Sequence, residues 1–519
     1  MAKTFYITTA IDYTNAAPHI GHAYEKILAD VLARFHRLKG EPVYFLTGVD
    51  QHGQKVQQAA QKAGVEPARY AREVTEKFTA LWARLGISYD GWAATTDSRH
   101  RLCVQRILTR LHDEGQLHKA RYGGYYSVRQ EQFLTEKERG ADGEFGPEWG
   151  EVVYLEEENW YFKLSVHRDW LIAFVEGHPE FVIPGFRHTE LVNAVRKLAG
   201  DLSISRPKER LSWGIELPFD AGYVTYVWFD ALINYISFAG YLSDGGDGLP
   251  RFDDLWPANV HVIGKDILAP AHGIYWPIML HALGFPDEMI PRLLVHGYVN
   301  IAGAKMSKSL GNIVDPDALA DKYGPEALRY YLMRDCTMGQ DMDFAEERLV
   351  SRFNTDLANG LGNLLNRTLN MAARYRGSVL TPKEDPAACE VEEAAATAVE
   401  AFTARMDEYQ IHHALEAVWG LVSRCDQLVE TSAPWKLAKD PAQAARLDAV
   451  LYTLAESLRI LAILAAPVLP KASAAILGQL NFPGAPLLVN AKWGGLKDKH
   501  QLGQPVPIFP RIEAAPRQA

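Results

Sequence analysis

Two short stretches carry residues whose types and spacing suit the handling of phosphates. The stretch 303–311 reads Gly-Ala-Lys-Met-Ser-Lys-Ser-Leu-Gly, with Lys305 and Lys308 three residues apart among serines and between glycines. Such a segment makes a flexible cationic loop that can close over a polyphosphate and neutralise charge that builds up in a transition state. On composition alone it is also an ordinary solvated lysine loop. Nearly three hundred residues earlier, Pro18-His19-Ile20-Gly21-His22 opens a helical pattern that runs to about Lys39, with Ile20, Tyr24, Ile27, Leu28, Val31 and Phe35 on one face. Proline at a first turn marks a helix N-terminus, where free backbone N–H groups and the positive end of the dipole favour an anion. His19 and His22 are then placed to hydrogen-bond phosphate oxygens, and Gly21 lets a flat base or a ribose approach the backbone.

Four strands must position these residues. The run 5–10 is β-rich and continuous, as in a buried parallel strand, and Ile11 to Tyr13 follow it. A second strand over 42–47 ends in Gly48-Val-Asp50-Gln-His52-Gly53, a third over 259–263 in Gly264-Lys265-Asp266, and a fourth over 292–299 carries His296 into the lysine loop. Open α/β sheets bind ligands beyond the carboxyl ends of their strands, so one crevice can gather Ile11, Tyr13, Asp50, Asp266 and His296. Asp50 suits an α-ammonium group or, alternatively, a helix N-cap; Asp266 suits ribose hydroxyls. Residues 116–225 break the alternation with aromatic-rich strands and read as an inserted domain. From residue 346 the pattern is helical, over 350–376, 391–409, 412–430 and 442–466, with an acidic, proline-containing connector at 381–388. The predicted fold is therefore α/β: a Rossmann-type doubly wound parallel sheet split between 1–115 and 226–345, an inserted connective domain at 116–225, an α-helical bundle at 346–480 and a tail at 481–519.

Length and composition agree with a soluble protein of three or four domains: 519 residues, 48% hydrophobic and 23% charged. The N-terminus has no basic and apolar leader, and the longest apolar run, 460–469, is too short for a bilayer and contains Pro467. A cytoplasmic protein with no membrane partner is expected. Cys103, Cys336, Cys389 and Cys425 lie far apart, which indicates neither a disulfide framework nor a zinc cluster. A net charge of −10 argues against coating nucleic acid by bulk electrostatics but leaves room for a local basic face.

Together, His19-Ile-Gly-His22 and Lys305-Met-Ser-Lys308-Ser resemble the two signature motifs of the class I aminoacyl-tRNA synthetases. The flanking residues narrow the resemblance to the methionyl-tRNA synthetases, over residues 6 to about 480. It implies activation of L-methionine with ATP, then transfer to tRNA(Met), initiator and elongator, with His19, His22, Lys305 and Lys308 as catalytic residues. It further implies that Gly21, Asp266, His296 and Ser307 contact ATP, and that Ile11, Tyr13, Asp50, Trp228, Leu232, Tyr235, Ile267 and His272 contact methionine. On spacing alone Trp228 and Tyr235 would be core. One extra residue separates Asp266 from the pocket histidine relative to the family pattern: counted back from Trp276-Pro277 the position is His272, counted forward from Asp266 it is Ala271.

The resemblance also places Asn363 and Arg367, four apart on one helix face, and Trp435 at the anticodon, where edge hydrogen bonds and stacking read unstacked bases. The alternative is a polar helix face with a packed tryptophan. Magnesium is expected with ATP, held by phosphate oxygens. Related enzymes carry a zinc knuckle beginning Tyr-Cys-x-x-Cys-Glu; here the segment is Tyr126-Ser-Val-Arg-Gln-Glu131, so no metal site is expected. Many relatives continue into a dimer-forming RNA-binding module, and a chain without it is expected to be a monomer. Two other readings are a class I synthetase for leucine, isoleucine, valine or cysteine, and a catalytically silent RNA-binding protein on the same scaffold.

Overall fold

Strands that are apolar on both faces pair in parallel and need cover above and below. In the computed structural model, which describes residues 3–127, 132–134, 138–140, 142–198, 200–305 and 313–513, seven strands do so. They are Phe5–Thr9 (β1), Asp12–Tyr13 (β2), Val43–Asp50 (β3), Gly91–Ala94 (β4), Val182–Ile183 (β5), Val260–Gly264 (β6) and Arg292–His296 (β7). Every pairing is parallel, and the order across the sheet is β4-β3-β1-β6-β7-β5, with β2 continuing the line of β1 along β3. The chain leaves β1 towards β3 and returns on its other side at β6, so the strand order reverses between β1 and β6. A crevice opens there at the carboxyl ends.

The stretch 116–225 divides. Leu117–Ser127 pairs along its whole length with Val152–Phe162 as an antiparallel arm, flanked by Gln132–Leu134 and Leu202–Ser203. Val182–Ile183, by contrast, is the edge strand of the central sheet, in register with Leu293 and Leu294. Two residues are too few to show a period, which is why the sequence pattern assigns them to the insertion.

The helix Ile20–Leu38 (α1) is buried on almost every side, including its charged Glu25, Lys26 and Asp30. It lies between the sheet and the later helices Pro325–Asp335 (α2), Asn363–Arg376 (α3), Pro386–Asp407 (α4), Ile411–Ser432 (α5) and Ala444–Ala465 (α6). One apolar core runs from Ile7 and Phe45 through Ile27, Val31 and Phe35 to Leu332, Leu361, Phe402, Leu415 and Leu458. The other face of the sheet has a second core, built on Tyr6, Leu46, Ile107, Phe229, Ile236 and Trp276.

Buried charges stitch the layers. Asp30 meets Arg329 of α2 at 2.7 Å and accepts from the backbone N–H and hydroxyl of Ser88 at 2.7 and 2.6 Å. Arg329 also donates to the carbonyls of Leu85, Pro467 and Val468. The tail packs back across the helices: His500–Gln501 pairs antiparallel with Val379–Leu380, and Asn354 exchanges two hydrogen bonds with the backbone of Ile512. At its centre Glu456 and Arg459 of α6, fully buried, grip the tail. Glu456 accepts from the N–H groups of Gly495 and Leu496 at 2.6 and 3.0 Å, and Arg459 donates to the carbonyls of Asn490 and Lys492. Removing one partner strands a buried charge. We predict that Arg459→Ala lowers stability by about 3–5 kcal/mol and exposes residues 490–513 to protease; unchanged denaturant unfolding and proteolysis would contradict this.

Candidate active site

The start of α1 explains how two histidines come to face the crevice. His19 is the N-cap: its Nδ1 accepts from the backbone N–H of Gly21, and Nδ1 of His22 accepts from the backbone N–H of His19, both at 3.1 Å. This is a capping box made with imidazoles in place of serine and glutamate. With each Nδ1 held as an acceptor, the ring hydrogen sits on Nε2, so both side chains are N–H donors at that atom. Burial, aided by His19 and Lys26, lowers the pKa of His22 and keeps it neutral.

A cleft of about 640 Å³ opens beyond these rings. Its lining includes His19, Gly21, His22, Ile11, Tyr13, Asp50, Trp228, Leu232, Tyr235, Asp266, Ile267, His272 and His296, so residues read from six separate stretches meet in one place. Ala271 lines it too. Asp12 lines it between Ile11 and Tyr13, and Glu25, Lys55 and Tyr275 are further members that the sequence did not point to. Charges on a helix otherwise look like solvated surface, and only the apolar surroundings of Glu25 on α1 could have drawn attention to it. Lys305 pairs by its backbone with Asn300, beyond the lining residue Val299; Ser307 and Lys308 lie outside the described residues, as do residues 128–131 of the segment compared with a zinc knuckle. Among the described residues no group of three His, Cys, Asp or Glu is disposed to hold a metal.

One wall of the cleft is uncharged. The ring of Tyr235 stacks on His261 at 4.1 Å between centroids. His261 donates from Nδ1 to Thr8 Oγ1 at 2.6 Å and accepts the indole N–H of Trp276 at 3.2 Å. His272 faces the carbonyl of Ile267 with Nδ1 at 2.9 Å, so Nδ1 donates and Nε2 accepts the Tyr235 hydroxyl at 2.8 Å. That hydroxyl hydrogen is therefore committed to His272, and Tyr235 presents its ring and an oxygen lone pair rather than a donor. Burial drives the His272 pKa down to about 4, and drives His261 well down too. The stretch Leu268–Tyr275 is not one regular helix, because Ala269 is extended within it (φ −122°, ψ 129°). Both Ala271 and His272 reach the cleft, but it is His272 that bonds Tyr235.

The floor beside Asp50 is held by a second cluster. Asp230, fully buried, accepts from His52 Nδ1 at 2.7 Å and His100 Nε2 at 2.8 Å, and His100 Nδ1 meets the Ser237 hydroxyl. Asp230 thus ties the helix carrying Trp228 to the strand end carrying Asp50. Gly53 (φ +101) must be glycine, since a Cβ there would lie 2.3 Å from the Tyr13 hydroxyl oxygen.

The second predicted site is on the helices. Asn363 and Trp435 are exposed, the latter by 42%, and Arg367 is half-buried. Burial pushes the carboxyl of Asp426 up, and Arg367 lies close enough to oppose it. Asp426 is on α5, nine residues before Trp435, so α3 presents Arg367 to the end of α5 that leads to the tryptophan.

A family model described as tRNA synthetases class I (M) matches residues 5–143 and 150–369, and one described as the anticodon binding domain of methionyl tRNA ligase matches 380–519. The chain belongs to the methionyl-tRNA synthetases. It is 41% identical to the methionine–tRNA ligase of Caldanaerobacter subterraneus over 99% of this chain and 80% of that one. It is 42% identical to that of Deinococcus radiodurans over 95% and 72%. Its fold superposes on Mycobacterium tuberculosis methionyl-tRNA synthetase in complex with methionyl-adenylate with a TM-score of 0.92 at 39% identity, covering 98% of this chain and 100% of that one; the apo form gives 0.85 at 35% identity. This synthetase is an enzyme, a methionine–tRNA ligase.

The neutral wall has a consequence for acid stability. A histidine with a depressed folded pKa leaves the unfolded chain binding more protons between the two values, so its contribution is complete above about 6.5 and is lost as the pH falls to about 4. We predict that the wild-type enzyme loses roughly 3 kcal/mol over this window through His272 alone. Replacing His272 with Phe should flatten the pH dependence of denaturant unfolding by a comparable amount; an equally steep curve would show that the ring is not held neutral.

Proposed function

We propose that the cleft at the reversal of strand order binds methionine against its uncharged wall and ATP against the start of α1, so that the amino acid carboxylate lies beside the α-phosphate. The observation that carries this reading is the imidazole capping box. It fixes two Nε2–H donors at a helix N-terminus, where the dipole already favours an anion, and they line the same cleft as Asp50 and Tyr235. In the first step a methionine carboxylate oxygen forms a bond to the α-phosphorus, and the bond to the bridging oxygen of the β-phosphate breaks. Methionyl-adenylate forms and pyrophosphate leaves. In the second step a terminal ribose hydroxyl of tRNA attacks the methionyl carbonyl carbon, AMP leaves, and the hydroxyl proton is released.

Each residue then has a physical task. Asp50, at a strand end, holds the α-ammonium group, and Asp266 receives ribose hydroxyls. The thioether lies against Trp228 and Tyr235, where a polarizable sulfur gains from ring contact. His19 and His22 donate to oxygens of the α- and β-phosphates, and Lys305 and Lys308 close on the leaving pyrophosphate. Magnesium arrives with the nucleotide and is held by its phosphates. Asn363, Arg367 and Trp435 read the anticodon by base edges and stacking. A single chain supplies both the cleft and the anticodon face, which supports a monomer acting on the cytoplasmic tRNA pool.

The test is pyrophosphate exchange into ATP without tRNA. Exchange should depend on methionine, and exchange with another amino acid instead would overturn the wall assignment. His22→Ala and Lys308→Ala should each slow exchange roughly a hundredfold or more with methionine affinity little changed. Trp435→Ala should leave exchange intact and reduce aminoacylation of tRNA; equal loss in both assays would make the tryptophan structural.

A further inference from the structure

The histidines of the cleft can be sorted by what each ring nitrogen faces. His19, His22, His261 and His272 each have one nitrogen that accepts from an N–H or a hydroxyl, so a neutral ring satisfies them. His296 does not sort this way. Its Nδ1 lies 2.8 Å from the carbonyl oxygen of Gly297 and its Nε2 lies 3.1 Å from Oε2 of Glu25. A neutral imidazole has one N–H, and would set a lone pair against a lone pair at one of these contacts. Both contacts close only when one more proton lies between Nε2 and Oε2.

The other oxygen of Glu25 accepts from Lys26 Nζ at 2.7 Å. Lys26, with no exposed surface, donates further to Asp12 Oδ1 at 2.9 Å and to the carbonyl of Ala10 at 2.8 Å, so its three hydrogens meet three oxygens. Asp12 Oδ2 is buried with no hydrogen-bond partner. Lys26 is thus shared between Glu25 and Asp12, and a proton between Nε2 of His296 and Oε2 of Glu25 gives Glu25 a second cationic partner.

We propose that Lys26 and Glu25 are positioning residues: Lys26, anchored on Asp12, keeps Glu25 ionised, and Glu25 keeps His296 doubly protonated and fixed between α1 and the end of β7. This rests on the reading of that end as the nucleotide side. Of the other groups beside His296, the carboxylate of Asp266 shares with it the space beside Gly264 and favours a cationic ring, while the Tyr24 ring of α1 packs perpendicular to it at 5.1 Å. Burial raises the Glu25 carboxyl, but Lys26 and His296 outweigh it, and the net shift is downward. Burial pushes Asp12 up to about 7 against the pull of Lys26, so Asp12 is the carboxylate of the pair that takes up a proton first as the pH falls. The cluster links the loop after β1, next to Ile11 and Tyr13, with the strand that leads to the lysine loop, and so holds the two substrate sides in one frame.

The imidazole ¹⁵N resonances of His296, assigned by their loss in His296→Asn, test this in the intact wild-type enzyme. Both nitrogens should show protonated shifts at pH 7. In Glu25→Gln the ring should revert to the neutral form with hydrogen on Nδ1, and the KM for ATP in methionine-dependent exchange should rise at least tenfold while kcat changes less than threefold. Lys26→Met should lower the pH at which His296 loses its Nε2 proton by at least one unit. A neutral His296 in the wild type, or an unchanged midpoint in Lys26→Met, overturns the proposal. Protonated shifts that respond to both variants, with the KM for ATP within threefold of wild type, support the relay and overturn the placement of the nucleotide instead.

Discussion

A helix buried on nearly every side cannot carry charge unless something meets each charge, and α1 carries several. Its first turn is closed by two imidazoles on its own backbone, its second turn by Lys26 on Ala10, Asp12 and Glu25, and its middle by Asp30 on Arg329. Each of these partners belongs to a different part of the molecule. The cap faces the cleft, the lysine reaches the loop after β1, and Arg329 reaches the carbonyls of Pro467 and Val468 just after α6. Satisfying the polar groups of one helix therefore fixes the cleft, the sheet and the helical region relative to one another. Apolar packing around α1 supplies the driving force, and the charges select one arrangement out of those that packing allows.

The same logic divides the cleft. On the side of Tyr235 every histidine is neutral, and its hydrogens are spent on neighbouring side chains and carbonyls, which leaves an uncharged wall suited to a thioether. On the side of α1 the side chains are donors or ions, suited to a triphosphate and ribose. A neutral and a charged half meeting across one strand boundary are what a reaction between an amino acid carboxylate and a phosphate needs: grip on a small apolar side chain without competing charge, and polarity at the bond being made.

Much of this was legible in the sequence because it lay at positions where local pattern and site coincide. Strand ends are recognisable from apolar runs closed by Gly-x-Asp or Gly-Lys-Asp, and His19 from the proline before it, so the crevice and its strand-end lining could be written down in advance, whereas Trp228, Leu232 and Tyr235 came from the family resemblance because spacing alone makes such aromatics core. What escaped depends on contacts between distant residues. Nothing in the local sequence of Lys26 separates it from a solvated lysine, since its partner Asp12 is fourteen residues away and its burial comes from the whole core. Asp230 with His52 and His100 joins three stretches through one carboxylate. Val182–Ile183 is a strand only because β7 offers an edge. The choice between Ala271 and His272 could not be made by counting, because the helix is broken at an extended Ala269 and counting assumes a constant rise.

The grip of Glu456 and Arg459 on the tail sets an order of events during synthesis. The two side chains leave the ribosome well before the backbone groups at Asn490, Lys492, Gly495 and Leu496 that satisfy them. At roughly 5–20 residues per second, the helical region exists for seconds with an ion pair that has each other and water but not its final partners. The sheet and α1 are complete by then. The strap thus threads across helices made before it, and a ribosome that pauses between residues 459 and 496 prolongs the stage at which this buried ion pair is still wet.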